Sequence, residues 1–327
     1  MPDRAEYLRT IACEIERIHS HILWAGLLAH EIGFYSVLHY GMKVRENIMD
    51  LLEMFSGNRV HYCLFQIGGI RRDLTKEKLE KVKKSLKYYK EAYGKIVDIF
   101  LNDRTIRMRT EGVGVLPKKY AVELCAVGPT ARGSGVNRDV RQDWPYMAYG
   151  DLGIVAQSPR TITGEIKGDV QDRAIVRLLE LKQSIDIIEA CIDQIPSGEI
   201  LAIPKTPALL AKLKQARGEG IARQEAPRGD LHHYIRLMQK PVVDTWKVKA
   251  PTYNNLQSVR TMVLNQQIAD IPVIFCSIDP CISCTDRISV LKQEGRNMSS
   301  KILTKDQLHA LSVKRTTSFG EIKQYKF

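Results

Sequence analysis

Two cysteines near the C-terminal end of the chain stand at positions i and i+3, a spacing at which both sulfur atoms can face one centre. They lie in the stretch Asp279-Pro280-Cys281-Ile282-Ser283-Cys284-Thr285-Asp286-Arg287, which follows an apolar run predicted to be a buried segment, 271–278. Pro280 restricts the residue before it and interrupts regular structure. Thiolates at this spacing suit nickel, iron, zinc or a redox disulfide, so the pair alone leaves metal and non-metal chemistry open.

Other candidates for chemistry carry less information. His19 and His21 lie in an apolar, helix-like segment without a carboxylate–histidine set at a diagnostic spacing, which favours packed, hydrogen-bonded histidines. The stretch 112–116 contains Gly-x-Gly but lacks the third glycine and the preceding strand of a dinucleotide site, so nucleotide binding by this loop is excluded. The glycine-rich stretch 128–135 is interpreted on its chemistry as a structural loop.

The composition is that of a globular protein with a large core. The chain has 327 residues, of which 44% are hydrophobic and 26% charged. No run of about 18 uncharged apolar residues and no signal-peptide core are present, which predicts a cytoplasmic location with membrane association only through a partner. Disulfides are not expected in that compartment. Five further cysteines are predicted to be inert core thiols: Cys13, Cys63, Cys125, Cys191 and Cys276.

The formal charge of +12 could indicate nucleic acid, an anionic membrane surface or an acidic partner. The lysines are densest in 75–90, where their pattern is typical of a solvated helix face rather than of a basic patch interleaved with aromatic residues. The charge therefore predicts no nucleic-acid binding.

The apolar periodicity predicts a mainly α protein. The predicted helices cover 4–29, 44–55, 74–102, 169–195 and 254–267. Glycines in 103–165 predict loops and turns, and 196–220 is interpreted as connecting sequence. Two short strands, 231–235 and 241–248, predict a small antiparallel hairpin, so that the β element lies near 225–250.

Taken in order, several motifs resemble the large (catalytic) subunit of energy-converting, group 4 type nickel–iron hydrogenases. Through them the chain is similar to the 49-kDa (D) subunit of respiratory complex I. The motifs are Arg4-Ala5-Glu6-Tyr7-Leu8-Arg9, Glu14-Ile15-Glu16-Arg17-Ile18 with His21, Gly57-Asn58-Arg59-Val60-His61, Ile67-Gly68-Gly69-Ile70-Arg71-Arg72-Asp73, 128–135, Glu225-Ala226-Pro227-Arg228-Gly229 and 279–287. The resemblance implies a helical bundle with a small antiparallel β element.

The resemblance also implies roles for particular residues. Complex I subunits lack cysteines at 281 and 284, whereas here the pair looks like the hydrogenase version. Cys281 would then be a terminal nickel ligand, and Cys284 would bridge nickel and iron. Arg228 matches the arginine over the diatomic ligands of the iron, where a guanidinium can donate to a cyanide nitrogen. Thr252 is a further candidate for that role.

The chain departs from the family at its start. The family binds its metals with four cysteines, and the other pair belongs to an upstream Arg-x-Cys-Gly-x-Cys motif that does not occur here. The ligand set for the nickel–iron centre is therefore incomplete, and a glutamate proposed as a proton relay would be missing as well. Three explanations stay open: an N-terminally truncated or split gene, a pair donated by a neighbouring subunit, or a metal-free relative.

The C-terminal tail has a parallel in the family, where a protease removes the residues after the second cysteine pair once nickel is in place. By that resemblance 1–287 is the core, Arg287 is the cleavage site and 288–327 is the removable extension. A retained basic tail that docks on a partner is the alternative.

The implied function is a component of a membrane-associated hydrogenase that catalyses 2H⁺ + 2e⁻ ⇌ H₂ at the inner face of the cell membrane. The implied partners are an iron–sulfur small subunit, a 30-kDa-like subunit and integral membrane ion-pumping subunits, with no iron–sulfur cluster in this chain. The alternative is a metal-free, complex I-like electron-transfer or quinone-oxidoreductase scaffold, to which quinone and NAD binding would belong. A structural zinc module completed by His232 and His233 is a third possibility.

Overall fold

The computed structural model describes residues 1–60, 62–240, 242–285, 289–294, 297–302 and 305–317. The chain divides into two compact units, Met1–Pro280 and Cys281–Phe327. Arg287 and the boundary predicted at 287/288 lie outside the described residues.

The first unit is mainly helical. Its helices are α1 (Asp3–Ile32), α2 (Tyr35–Ser56), α3 (Lys76–Asn102), α4 (Arg104–Thr110), α5 (Lys118–Glu123), α6 (Gly128–Gly133), α7 (Val140–Asp143), α8 (Arg160–Thr163), α9 (Val170–Gln194), α10 (Thr206–Gln215), α11 (Pro251–Val263) and α12 (Ile271–Ser277), with 3₁₀ turns at Met147–Gly150 and Ile268–Asp270. Its strands are β1 (Phe65–Gln66), β2 (Gly69–Ile70), β3 (Arg217–Ala226), β4 (Gly229–Met238) and β5 (Thr245–Lys249). The predicted mainly α fold with a small antiparallel element is confirmed.

The long helices α1, α3 and α9 form the centre of the bundle, with α1 packed against α2 and α9, and α3 packed against α9. Local signals set their ends. Thr75 Oγ1 accepts a hydrogen bond from Lys78 N at the start of α3, and Asp169 accepts one from Asp172 N at the start of α9. Helix α2 ends at Gly57 in the left-handed conformation. The lysine-rich face of α3 is exposed and its apolar stripe is buried, as the sequence predicts.

The sheet of the first unit has the strand order β3-β4-β5, with antiparallel neighbours. The predicted hairpin corresponds to β4 and β5. The prediction of connecting sequence in 196–220 was wrong, because α10 and the first half of β3 lie there. Residues 217–222 of β3 are exposed, so no alternation between buried and exposed positions marks that half of the strand.

Three further predictions need correction. Helix α2 begins at Tyr35 rather than at 44, and the region 103–165, predicted as loops and turns, contains five short helices, α4 to α8. The apolar run 271–278 is mostly helix α12, whose Ile271 and Phe275 are exposed while Val273 and Ile274 are buried. Short helices of this kind depend on tertiary packing, since isolated helices of this length are not stable in water.

The core-thiol prediction holds for part of the set. Cys13 and Cys191 are buried and Cys276 is partly buried, whereas Cys63 and Cys125 are exposed. Both exposed cysteines have positive φ angles, 36° and 54°, and neither lies on the buried face of a helix.

In the second unit β6 (Ser289–Glu294) pairs with β7 (Asn297–Ile302) in an antiparallel hairpin, and α13 (Lys305–Thr317) follows. The described residues contain no helix with the length and hydropathy needed to cross a membrane.

Candidate active site

The turn between β3 and β4 presents Arg228 on a fixed backbone. In the strand register Ala226 faces Gly229, so Pro227 and Arg228 form the turn. Asn255 Nδ2 donates to the Arg228 carbonyl oxygen at 3.2 Å, while Asn255 Oδ1 accepts from Val127 N at 2.9 Å. This asparagine, on α11, ties the turn to the segment that leads into α6.

Two glycines allow this close approach. Gly128 has φ +63° and Gly229 has φ +126°, and their backbones are in contact. A Cβ atom on Gly128 would lie 2.4 Å from Gly229 Cα and 2.6 Å from the Arg228 carbonyl oxygen. Because those neighbours are backbone atoms that cannot rotate away, glycine is required at Gly128 both for its φ and for the contact.

The Arg228 guanidinium is held by the residue two positions before Cys281. Its Nε donates to the Asp279 carbonyl oxygen at 2.8 Å, and its Nη2 pairs with Asp279 Oδ1 at 2.9 Å. Asp279 is nearly buried and has φ +56°, an unusual value for a residue with a side chain. Strain of this kind persists where surrounding contacts fix the backbone, and here the double contact with Arg228 does so.

A cavity of about 300 Å³ lies beside this pair in the first unit. Its lining includes Ser20 and Trp24 of α1 together with Cys276, and Arg228, Asp279 and Pro280 complete one side. Trp24 Nε1 donates to the Cys276 carbonyl oxygen at 2.8 Å, which fixes α1 against α12. Thr252 is buried in the first turn of α11 and is absent from the described residues that line this cavity.

Cys281 opens the second unit, and Cys284 follows within one turn. Cys284 N donates to the Cys281 carbonyl oxygen at 3.2 Å, and Thr285 Oγ1 donates to the same oxygen at 3.1 Å. Both cysteines are partly exposed, and Cys281 Sγ lies 3.2 Å from Ser283 Oγ. The turn therefore presents two thiols three residues apart, with the backbone of both joined by one hydrogen bond.

The donor set decides which metal chemistry these residues fit. The part of the chain that the structure describes has no group of three or more His, Cys, Asp or Glu side chains placed to hold a metal ion. Cys281 and Cys284, in the second unit, are soft donors of the type that nickel and iron accept, and they fit part of a thiolate ligand set. Arg228, in the first unit, supplies N–H donors. A structural zinc module needs four ligands, and the described residues assemble no such set around His232 and His233.

A buried charge network, which the sequence analysis missed, lies in the first unit. Its side chains are at most 2% exposed: Glu14, Arg17, His21, Arg132, Asp139, Arg141, Glu180 and Glu225. They come from α1, α6, α7, α9, β3 and the residue before α7. Charges at this depth are stable only when they are paired and hydrogen-bonded, so the elements that carry them are held in one arrangement.

Glu14 is the best-compensated carboxylate of the network. It accepts hydrogen bonds from Tyr149 Oη at 2.5 Å, Ser184 Oγ at 2.6 Å and Arg17 Nε at 3.1 Å, and Arg141 Nη1 lies 3.3 Å away. Burial alone would raise the pKa of Glu14, but Arg17, Arg141 and the two hydroxyl groups lower it below its ordinary value. Glu14 is therefore ionised at neutral pH.

Glu180 joins α9 to α1 and α6. Arg132 Nη2 lies 2.6 Å from Glu180 Oε1, and His21 Nε2 lies 2.9 Å from Glu180 Oε2. Burial opposes ionisation of Glu180, yet Arg132 and His21 hold its pKa well below the ordinary range. Burial lowers the pKa of His21 more than Glu180 raises it, so this histidine is neutral at pH 7.

The histidine prediction is confirmed for His21, which is packed and bonded to Glu180. His19 is different, because its buried Nε2 has no hydrogen-bond partner among the described residues. A signal for the network was present in the sequence. Glu14, Arg17 and His21 stand at i, i+3 and i+7, so they share one face of α1, next to the apolar stripe that includes Ile11, Ile15, Ile18 and Ile22.

Comparison with known proteins agrees with the fold and the motifs. The family model described as "Respiratory-chain NADH dehydrogenase, 49 Kd subunit" matches residues 31–287. The chain is 46% identical to the membrane-bound hydrogenase subunit alpha of Pyrococcus furiosus, over 97% of this chain and 74% of that protein. It is 34% identical to formate hydrogenlyase subunit 5 of Escherichia coli over 97% of its own length, but it spans only 53% of that protein.

The chain is also similar to a subunit of NADH-quinone oxidoreductase. The D subunit of the NADH-quinone oxidoreductase of Dehalococcoides mccartyi is 34% identical over 88% of this chain and 76% of that protein. The chain therefore belongs to the family that joins the large subunits of membrane-bound hydrogenases with the 49-kDa subunit of respiratory-chain NADH dehydrogenase.

Proposed function

We propose that this chain is the large-subunit component of a membrane-associated, energy-converting nickel–iron hydrogenase that catalyses 2H⁺ + 2e⁻ ⇌ H₂. One observation carries the proposal: the Cys281–Cys284 turn occurs in a chain that is 46% identical to a membrane-bound hydrogenase subunit over nearly its whole length. Thiolates at i and i+3 suit soft, redox-active metals, which is the chemistry that this reaction needs.

The proposal assigns a role to each site residue. Cys281 would be a terminal nickel ligand and Cys284 a ligand shared by nickel and iron, and the bound centre would supply the redox chemistry. Arg228 would donate hydrogen bonds to the iron's diatomic ligands, with Thr252 as a further candidate. The structural support is that Asp279 binds two nitrogens of Arg228, while among the described residues the third nitrogen, Nη1, contacts only the Ser20 hydroxyl, at 3.5 Å.

The proposal includes partners and processing. An iron–sulfur small subunit would exchange electrons with this chain, and a 30-kDa-like subunit and ion-pumping membrane subunits would attach it to the inner face of the cell membrane. The relative in Pyrococcus furiosus is itself named a membrane-bound hydrogenase subunit. Cleavage after Arg287 would separate the core 1–287 from the extension 288–327.

The test is made on the assembled complex, purified with tagged variants of this chain. Cys281→Ser and Cys284→Ser should each lose bound nickel, measured by mass spectrometry, together with hydrogen evolution. Arg228→Lys should retain nickel but turn over more slowly, because lysine lacks the planar fork of donors. Cys125→Ser, at an exposed cysteine, is the matched control and should change neither quantity. Hydrogen evolution that survives either ligand substitution would refute the assignment.

A second function is favoured by the family match itself. The matching model is that of a respiratory NADH dehydrogenase subunit, and the NADH-quinone oxidoreductase relative is about one-third identical to this chain. A metal-free electron-transfer or quinone-oxidoreductase scaffold is the corresponding activity. The wild-type complex discriminates: nickel bound in proportion to this chain supports the hydrogenase, whereas quinone reduction without nickel supports the scaffold.

A further inference from the structure

Glu225 lies at the end of β3, three residues before Arg228, and its side chain is only 2% exposed. It also lines a second cavity of about 810 Å³ in the first unit. The same cavity is lined by Lys118 and Lys249, both of which are exposed, so it opens to solvent. Glu225 is therefore a buried carboxyl group next to a route from water.

The direct partners of Glu225 are few. Its Oε2 accepts a hydrogen bond from Val140 N at 3.1 Å. Its Oε1 lies 3.0 Å from Arg132 Nη2, within ion-pair distance but without hydrogen-bond geometry. The same Nη2 atom lies closer to Glu180 Oε1, at 2.6 Å. Glu225 thus shares with another carboxylate the one cationic nitrogen that reaches its side chain in the described part of the chain.

The surroundings of Glu225 carry both signs of charge. The charged groups that act on its carboxyl are Arg132 from α6 and Asp139 and Arg141 at α7. Glu14 of α1 and Glu180 of α9 bind the arginines Arg17 and Arg132, and the Tyr146 hydroxyl accepts from Glu225 N at 3.1 Å. On the hairpin, Asp230 stands opposite Glu225 in the strand register and pairs with Arg223 and His232, and all three line the same cavity. Arg17 Nη2 donates at 2.6 Å to the backbone carbonyl oxygen of Glu225 and not to its carboxyl group.

The other carboxylates of the network are better compensated. Asp139 takes two hydrogen bonds from the Arg141 side chain and a third from its backbone N–H, whereas Glu180 is bonded by both Arg132 and His21. Arg177, another buried cation on α9, donates to a backbone carbonyl and stacks on Trp24. Among the four network carboxylates, Glu225 has the weakest compensation for a negative charge.

We infer that Glu225 binds one exchangeable proton in the folded protein at neutral pH, taken up from water through the 810 Å³ cavity, and that this proton positions the Arg228 turn. The step is the addition of H⁺ to a carboxylate oxygen and its return to water, and no other bond changes. Burial raises the pKa of Glu225 to about 7, because Arg132 and Arg141 offset the cost only in part and Asp139 adds to it.

The positioning role follows from the contact between Arg17 and the Glu225 backbone. An ionised Glu225 would place a second negative charge beside Asp139 and would compete for Arg17, which at present binds the Glu225 backbone. The end of β3 would then lose a backbone contact immediately before Pro227 and Arg228. Glu225 is a positioning residue in this account. Only its effect on turnover rests on the proposed function, since the proton site itself belongs to this chain alone.

Infrared difference spectroscopy of the full chain tests the proton directly. Between about pH 5 and about pH 9, a carboxylic-acid carbonyl band should disappear with a midpoint near 7, the pKa of Glu225. The band should be absent from Glu225→Gln and retained in Glu219→Gln, the matched control at an exposed position of the same strand. A spectrum without a band that titrates near neutral pH, or a band that persists in Glu225→Gln, would overturn the inference.

Two further measurements keep the inference falsifiable if Glu225→Gln does not fold. Asp139→Asn removes the nearby negative charge and should move the midpoint of the band to lower pH; an unchanged midpoint would contradict the assignment. In the wild type, the hydrogen-exchange protection of the amides of 226 and 228–231, corrected for intrinsic rates, should fall as pH rises through about 7. Constant protection would remove the positioning role. Neither result depends on bound metal, so the proposed function and this inference fail separately.

Discussion

The contact between Gly128 and Gly229 predicts a large and specific cost for Gly128→Ala. The new Cβ would lie 2.4 Å from Gly229 Cα and 2.7 Å from Gly229 N, well inside van der Waals distance. Alanine at φ +63° costs about 1–2 kcal/mol by itself, and forced displacement of packed backbone adds about 1–3 kcal/mol. We therefore expect the free energy of unfolding to fall by about 2–5 kcal/mol and the Arg228 turn to move.

The control for this substitution is Gly112→Ala. Gly112 has φ +71°, similar to that of Gly128, but an added Cβ would meet nothing within 4 Å. It should therefore show only the conformational cost, about 1–2 kcal/mol. Urea denaturation followed by tryptophan fluorescence measures the free energy of unfolding of both variants. The comparison requires that this free energy depends on urea concentration with the same slope in each variant. Equal losses of stability in the two variants would show that the Gly128–Gly229 contact contributes nothing, and the argument for a fixed turn would fail.

Three further predictions concern the buried groups. Glu14→Ala leaves the buried Arg17 and Arg141 without their carboxylate, so the free energy of unfolding, measured by urea denaturation, should fall by about 3–5 kcal/mol. Glu77→Ala, on the exposed face of α3, should change that free energy little. Burial lowers the pKa of His19 to about 4, so wild-type stability should fall as pH drops from about 6.5 to about 4, and His19→Gln should flatten that part of the profile. Cys125 should react with a thiol reagent in the native protein, and Cys191, whose pKa burial raises to about 12, only after unfolding; peptide mapping would identify the labelled sites.

The long helices were predictable because their signals are local. Helix α9 was expected over 169–195 and covers Val170–Gln194, with Asp169 as its cap. Helix α3 was expected over 74–102 and covers Lys76–Asn102. In both cases about seven turns of apolar periodicity agree with a capping side chain, so the pattern is averaged over many residues.

The elements that were missed depend on distant partners. Strand β3 is recognisable only through its ten-residue register with β4, and most of its outer half faces solvent. Helix α6 has six residues, contains Gly128 and Pro129, and is completely buried. Neither has the propensity to form alone, since strand pairing and short-helix stability come from tertiary contacts.

The charge network was hidden for a related reason. A charged residue in a helical pattern is usually solvated, and the spacing of Glu14, Arg17 and His21 does not by itself show that Glu14 is completely buried while Glu77 is exposed. The difference lies in partners that are far apart in the sequence, such as Arg141 and Ser184. The site motifs, by contrast, were found through a family resemblance, which carries tertiary information that composition and periodicity lack.

The short helix α6 connects the network to the site. Gly128, at its first position, packs against the turn that carries Arg228, and Arg132, on its last turn, contacts both Glu180 and Glu225. The six residues therefore fix the turn twice, by backbone contact at one end and by charge at the other. The structural loop that was predicted from the sequence would account for the backbone contact at Gly128 but not for the charge contacts of Arg132. Because Arg132 is fully buried and α6 packs on α9 around it, movement of the Arg228 turn is coupled to the charge state of the network.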